Sequence, residues 1–320
     1  IWKVIMKKSN FIVCAVFLFA INLLADTEKQ LSQLYFSVGE KEEKSNNASL
    51  ALASYKLAAS LDESDTKPLL KVGSIYFQQK KYLKAEKYYQ RAADMDQKNL
   101  NILLSLGNVL SLQDKNDQAI KVFEYMLSIK PDCIPALGNL AKLFSANAQY
   151  KKSKHIYKDI LDVDKNNVLA IFNLSLLYML FGKLEKGFSL YSFSRRKMKS
   201  DEIPTRDIPL WTGEEDLNGK ILLICSEQAF GDIFQFIRYA KVAKEKGATV
   251  IFACYEKLKK ILSLCPYIDL IVPRNFKGES CDFYIPLMDL SQAMKTTFKN
   301  IPCYDNYLYS DKNLDEYWKN

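Results

Sequence analysis

Val72 to Ala92 reads VGSIYFQQKKYLKAEKYYQRA. This stretch decides the architecture because its key positions recur every 34 residues. The column through Gly73 reads Gly39, Gly73, Gly107, Ala141 and Ser175. Twelve residues on, a second column reads Ala51, Ala85, Ala119, Ser153 and Gly187. Four further on come Tyr55, Tyr89, Phe123, Tyr157 and Tyr191, and just ahead of the first column stand Val38, Val72, Leu106, Leu140 and Leu174. Gly, Ala and Ser make up roughly a quarter of average composition, so small residues in every slot of the first two columns do not arise by chance.

A unit of this length is read as two antiparallel helices that cannot bury their apolar faces alone. Small residues are expected where helix A crosses helix B, with the aromatic filling the hole against the next unit. Gly73, Tyr76, Ala85, Tyr89 and Ala92, with Pro131 closing the third unit, resemble the tetratricopeptide repeat. Glu42 replaces the aromatic of the first unit's helix A, as suits a capping repeat. The resemblance implies a solenoid whose A helices line a concave groove for a protein or peptide. That groove is predicted to carry Asn108, Asn139, Lys142 and Asn173, whose amides can bond the backbone of an extended ligand.

After Arg195 and Arg196 the pattern changes. Pro204, Pro209, Trp211 and Gly213 mark a connector. Apolar runs at 220–226, 248–254, 268–272 and 282–285 read as strands, and 257–264 as a short helix stopped by Pro266. Residues 232–246 read as one helix, with Ile233, Phe236, Ile237, Ala240 and Ala243 in a single stripe ended by Gly247. This alternation predicts a parallel sheet covered by helices. Ligands of such sheets bind at the carboxyl ends of strands, which points to the junction Cys225–Asp232. Gly231 is expected to let the chain turn tightly there. Asp232 is read either as a helix cap or as a functional carboxylate. The loop is not GxGxxG, so it does not argue for a dinucleotide.

Pro209-Leu210-Trp211-Thr212-Gly213, Leu217-Asn218-Gly219-Lys220, Glu227-Gln228, Gly231-Asp232, Phe236, Arg238-Tyr239-Ala240, Asp282, Tyr284, Pro286-Leu287, Ile301-Pro302 and Tyr307-Leu308 carry a second resemblance. This order is similar to the glycosyltransferase-like module, of heptosyltransferase and O-linked GlcNAc-transferase kind, that follows tetratricopeptide repeats in a bacterial family. Ala229 departs from it, standing where that family has glycine. The resemblance implies Asp232 as general base, with Glu227, Gln228, Gly231 and Arg238 binding substrate or bracing the loop. The GT-B fold of that family needs two Rossmann-like halves, and Lys220 to Asn320 supplies one. A nucleotide-sugar donor is therefore expected only with a second domain, and the chain alone is expected to bind partners without catalysing. No other cofactor is implied.

The predicted fold is thus an α-solenoid of tetratricopeptide repeats followed by an α/β parallel-sheet, Rossmann-like half-domain. The expected boundaries are 1–25 for a leader, 26–200 for five repeats, 201–219 for the connector and 220–320 for the α/β half. In the leader, Lys7-Lys8 precede an apolar run from Phe11 to Ala25 broken by Asn22. That pattern predicts export or membrane anchoring, as a signal peptide or an uncleaved anchor; without a working leader the chain would be cytoplasmic.

The 320 residues, 48% hydrophobic and 26% charged, exclude disorder along the whole length. The net charge of +8 is nearly all lysine, which argues against nucleic-acid recognition, where arginine forks onto phosphates and guanine edges. One histidine, His155, excludes multi-histidine metal centres. The seven cysteines contain no CxxC, so no zinc ribbon or thioredoxin-type motif is supported.

Overall fold

The computed structural model describes residues 26–198, 207–227 and 230–311. The leader, Gln228, Ala229 and the 199–206 stretch of the connector region lie outside them. Ten consecutive helices among the described residues form a tetratricopeptide-repeat solenoid, followed by a small parallel sheet with its own helices. Contacts divide the chain into two compact units, with the division between Ile156 and Tyr157.

The first unit holds α1 (26–44), α2 (Ala48–Leu61), α3 (Thr66–Gln78), α4 (Tyr82–Met95), α5 (Leu100–Ser111), α6 (Asn116–Ile129), α7 (Ile134–Ala146) and the start of α8 (Tyr150–Val163). Its core is the predicted columns: Ala51, Tyr55, Val72, Ala85, Ala119 and Phe123 are all fully buried. Glycine is required in the first column by close approach. A Cβ at Gly39, Gly73 or Gly107 would lie 2.5–2.6 Å from ring carbons of Tyr55, Tyr89 or Phe123, respectively. Each ring therefore sits over the glycine of its own repeat, whereas the pattern alone placed it against the next one.

The turns repeat as faithfully as the helices. Asn46, Lys80, Asp114, Ala148 and Gly182 all have positive φ, between 56° and 74°. Each is followed by a residue whose N–H reaches back five positions: Lys81 to the Tyr76 carbonyl (2.9 Å), Lys115 to Leu110 (3.0 Å) and Gln149 to Phe144 (2.7 Å). This is the Schellman closure of a helix, in which a left-handed residue satisfies the last carbonyls. Helix starts share a column too. Asp65 caps the Lys67 N–H and Asn99 caps those of Asn101 and Ile102.

The second unit contains the rest of α8, α9 (Val168–Leu180) and α10 (Leu184–Met198), then β1 (Ile221–Cys225), α11 (Phe230–Phe236), α12 (Arg238–Glu245), β2 (Thr249–Cys254), α13 (Glu256–Leu262), β3 (Leu270–Pro273), β4 (Phe283–Pro286), a 3-10 turn (Leu287–Asp289) and α14 (Leu290–Ala293). The sheet is parallel, in order β3-β2-β1-β4. Leu222, Ile224, Val250 and Phe252 pack on one face with α12, while Leu223, Cys225, Ile251 and Ala253 fill the other. The single helix expected over 232–246 is broken at Ile237. The stripe still holds, since Ile233, Ile237, Ala240 and Ala243 are buried. The tighter bond from Ala240 N–H to the Ile237 carbonyl (2.9 Å) separates α11 from α12. Gly213 is needed where the connector meets α14: its φ is +95°, and a Cβ there would overlap the Ala293 backbone.

Candidate functional site

Two regions carry candidate chemistry. The first is the A-helix face of the solenoid. In the first unit, the 34-residue columns through the predicted groove residues read Ser37, Lys71, Ser105, Asn139 and Glu40, Ser74, Asn108, Lys142. Lys71 is spoken for: its Nζ lies 2.7 Å from Glu43 Oε2. The Tyr55 hydroxyl donates to the same oxygen at 2.8 Å. The hydrogen bond from Lys71 holds the Glu43 carboxyl below the usual range, against the opposing effect of burial. Ser105 bonds the Asn101 carbonyl of its own helix. Asn108 and Asn139 are half-buried and Lys142 is exposed, and no hydrogen bond to a described residue engages their side chains. Helices α3, α5 and α7 contain no acidic residue. Asn173 lies in the second unit, on α9, and its amide donates to the Leu169 carbonyl at 2.8 Å.

The second region is the carboxyl edge of β1 and β4. Glu227 follows β1 and is buried. Its carboxylate accepts from Arg195 of α10 and from the Met288 N–H (3.3 Å), and its carbonyl accepts from Arg274 (2.9 Å). Asp289, 1% exposed, accepts from Arg195 and from Arg196 Nε (2.8 Å). Every oxygen of these two carboxylates is thus matched by a donor. That is the condition under which buried charges are tolerated. Burial pushes the Tyr191 phenol up, with Asp232 and Asp289 adding to the rise and Arg195 opposing it.

Asp232 sits half-buried in the first turn of α11. Gly231 is helical without positive φ, and a Cβ on it would meet nothing within 4 Å. The expected tight turn is therefore not what this glycine provides; the position where its Cβ would stand is open. Arg238 is committed elsewhere. It stacks on Tyr307 (4.2 Å to the ring centroid) and donates to the carbonyls of Gln235 (2.9 Å) and Pro302 (3.3 Å). The structure brings Glu227 and Asp232 to the same sheet edge and commits Arg238 to the 302–307 segment. It also brings in Arg195, Arg196 and Asp289, which no local pattern had marked. They lie 32 to 94 residues from their partners along the chain. Among the described residues no group of His, Cys, Asp and Glu could hold a metal ion, and no helix is long and apolar enough to cross a membrane.

The comparisons bear on the repeat section. The family model described as tetratricopeptide repeat matches residues 67–99. A tetratricopeptide repeat protein from Parabacteroides merdae ATCC 43184 is similar in structure, with 19% identity, covering 54% of this chain and 69% of that one at a TM-score of 0.50. MamA protein aligns over 55% of this chain and 98% of its own, with 17% identity and a TM-score of 0.49. At such identities the likeness concerns fold alone. No curated protein sequence matches the chain.

Proposed function

We propose that the chain is a protein- or peptide-binding module, its solenoid groove joined to one glycosyltransferase-like α/β half. The observation that carries this reading is the run of A helices α3, α5 and α7, which hold no acidic residue and leave Asn108, Asn139 and Lys142 unengaged. Solenoids of this kind present extended concave binding surfaces. Amides that need no internal partner are available to a ligand's backbone. A library of short tagged peptides, titrated against the full chain by fluorescence anisotropy, tests the reading. Asn108→Ala combined with Asn139→Ala should weaken the best binder by at least about tenfold, the equivalent of one hydrogen bond of about 1.4 kcal/mol. Unchanged affinity would overturn the groove assignment.

A second reading is favoured by Asp232, a half-buried carboxylate at the strand's carboxyl end with open space beside Gly231. In it the chain is part of a glycosyltransferase that moves sugar from a nucleotide donor to a protein or glycan. Asp232 would then be the base, and a second domain would hold the donor. The first reading expects calorimetric titration with nucleotide-sugars to show nothing tighter than about millimolar, about −4 kcal/mol. Micromolar binding lost in Asp232→Ala would favour the second. The leader, read as an export or anchoring signal, supports a location outside the cytoplasm or on a membrane. Fractionation of cells expressing the chain tests that, and recovery of an intact soluble cytoplasmic product would refute it.

A further inference from the structure

Helix α10 is buried on two sides. The stripe Gly187, Tyr191 and Ser194 corresponds, in the 34-residue register, to Ala85, Tyr89 and Ala92 of α4. It packs on α9: Gly187 against Met179 and Ser175, and the Tyr191 ring 5.6 Å from that of Phe172. A second stripe, Phe188, Ser192 and Arg195, corresponds to Glu86, Gln90 and Ala93. In the first unit this second stripe faces the following repeat. Glu86 accepts from Gln113 (2.9 Å) and Lys115 (2.7 Å) there, and Lys56 of α2, at the position of Gln90, lies over the Tyr76 ring of α3.

On α10 the same stripe meets the α/β half instead. Phe188 makes an edge contact with Phe236 at 6.4 Å, Ser192 is buried, and Arg195 is clasped by Glu227 and Asp289. Phe298, from the loop after α14, covers Gly182 in the turn before α10.

We infer that the α/β half takes the place of a sixth repeat and caps the solenoid's C-terminal end, with Arg195 as the pin that makes α9, α10 and the sheet one cooperative body. Solenoids need terminal caps because the last repeat otherwise leaves an inner stripe bare. This role is independent of any catalysis and of what the groove binds.

Native-state hydrogen exchange on the full chain, across a series of denaturant concentrations, tests the inference. In the unaltered protein, amides of α9, α10, β1 and β4 should share one opening with one denaturant dependence. Arg195→Met leaves two buried carboxylates without their main partner. It should speed exchange roughly a hundredfold in all four elements, while α3 and α4 keep their protection. Acceleration confined to α9 and α10, or to the sheet, would overturn the cap. If Arg195→Met does not fold, the wild-type isotherms and the milder Phe188→Ala decide: separate openings for helices and sheet refute the inference, and a shared one supports it.

Discussion

Gly107 and Phe123 form a lock whose strength follows from one distance. A methyl group on Gly107 would lie 2.6 Å from two carbons of the Phe123 ring, and that ring is fully buried. It cannot swing into solvent. Gly107→Ala should therefore cost about 1–3 kcal/mol of overpacking, offset by about 1 kcal/mol of helix propensity. Phe123→Ala alone should cost about 3–5 kcal/mol. In the double variant the methyl enters the vacated space, so only the propensity gain survives. Adding Gly107→Ala to Phe123→Ala should then stabilise by about 1 kcal/mol. The coupling between the two sites comes to about 1–3 kcal/mol, as for residues in contact. Urea denaturation followed by far-ultraviolet circular dichroism measures it, provided the slope with denaturant stays constant across the cycle. An equal cost of Gly107→Ala in both backgrounds would refute the reasoning.

Ala148→Gly should stabilise by up to about 1 kcal/mol, because Ala148 holds φ +56° in a turn where Gly182 serves the same role; thermal denaturation reads it. Gly213→Ala should destabilise by at least about 2 kcal/mol, since it combines φ +95° with overlap on the Ala293 carbonyl; chemical denaturation of the variant tests this. Burial pushes Tyr89 and Tyr157 up to about 12. Their unfolded phenols ionise near 10, so stability should fall as pH rises from about 10 towards 12, and the fall should be shallower in Tyr89→Phe. Native thiol labelling should find one fast cysteine among the six described, the exposed Cys303. Cys133, Cys225, Cys254, Cys265 and Cys281 are buried, and the Cys254 thiol is pushed up to about 11.

The repeat section was legible because close packing writes itself into composition. Only a small residue fits under a ring at Gly39, Gly73 and Gly107, so the column survives in the letters. The turns were not legible, although they repeat equally well. Asn46, Lys80, Asp114, Ala148 and Gly182 share a backbone angle but no side-chain chemistry, and the closing bonds run between main-chain groups. In the α/β half, alternation of apolar runs gave the strands and their parallel order class. The break at Ile237 escaped notice because the buried stripe runs through it unchanged. At the candidate site, Glu227 and Asp232 stood out by their place after a strand. Arg195 and Asp289 did not, since their meeting is purely tertiary. The resemblance gave Arg238 a part in binding substrate or bracing the loop; in the fold its guanidinium engages the Tyr307 ring and the carbonyls of Gln235 and Pro302.

The arginine at the end of α10 also constrains how this chain can change length over evolutionary time. Arrays of this type grow and shrink by duplicating or deleting whole 34-residue units, and the alike glycine–ring joints at Gly39, Gly73 and Gly107 make those units interchangeable. The α9–α10 unit is not interchangeable. Copied into the interior, its Arg195 would face an A helix such as α3, α5 or α7, none of which offers a carboxylate. A buried cation without its counter-charge is among the costlier defects a fold can carry. Insertions and deletions should therefore collect upstream of Val168, leaving the final unit and the sheet to be inherited as a single block.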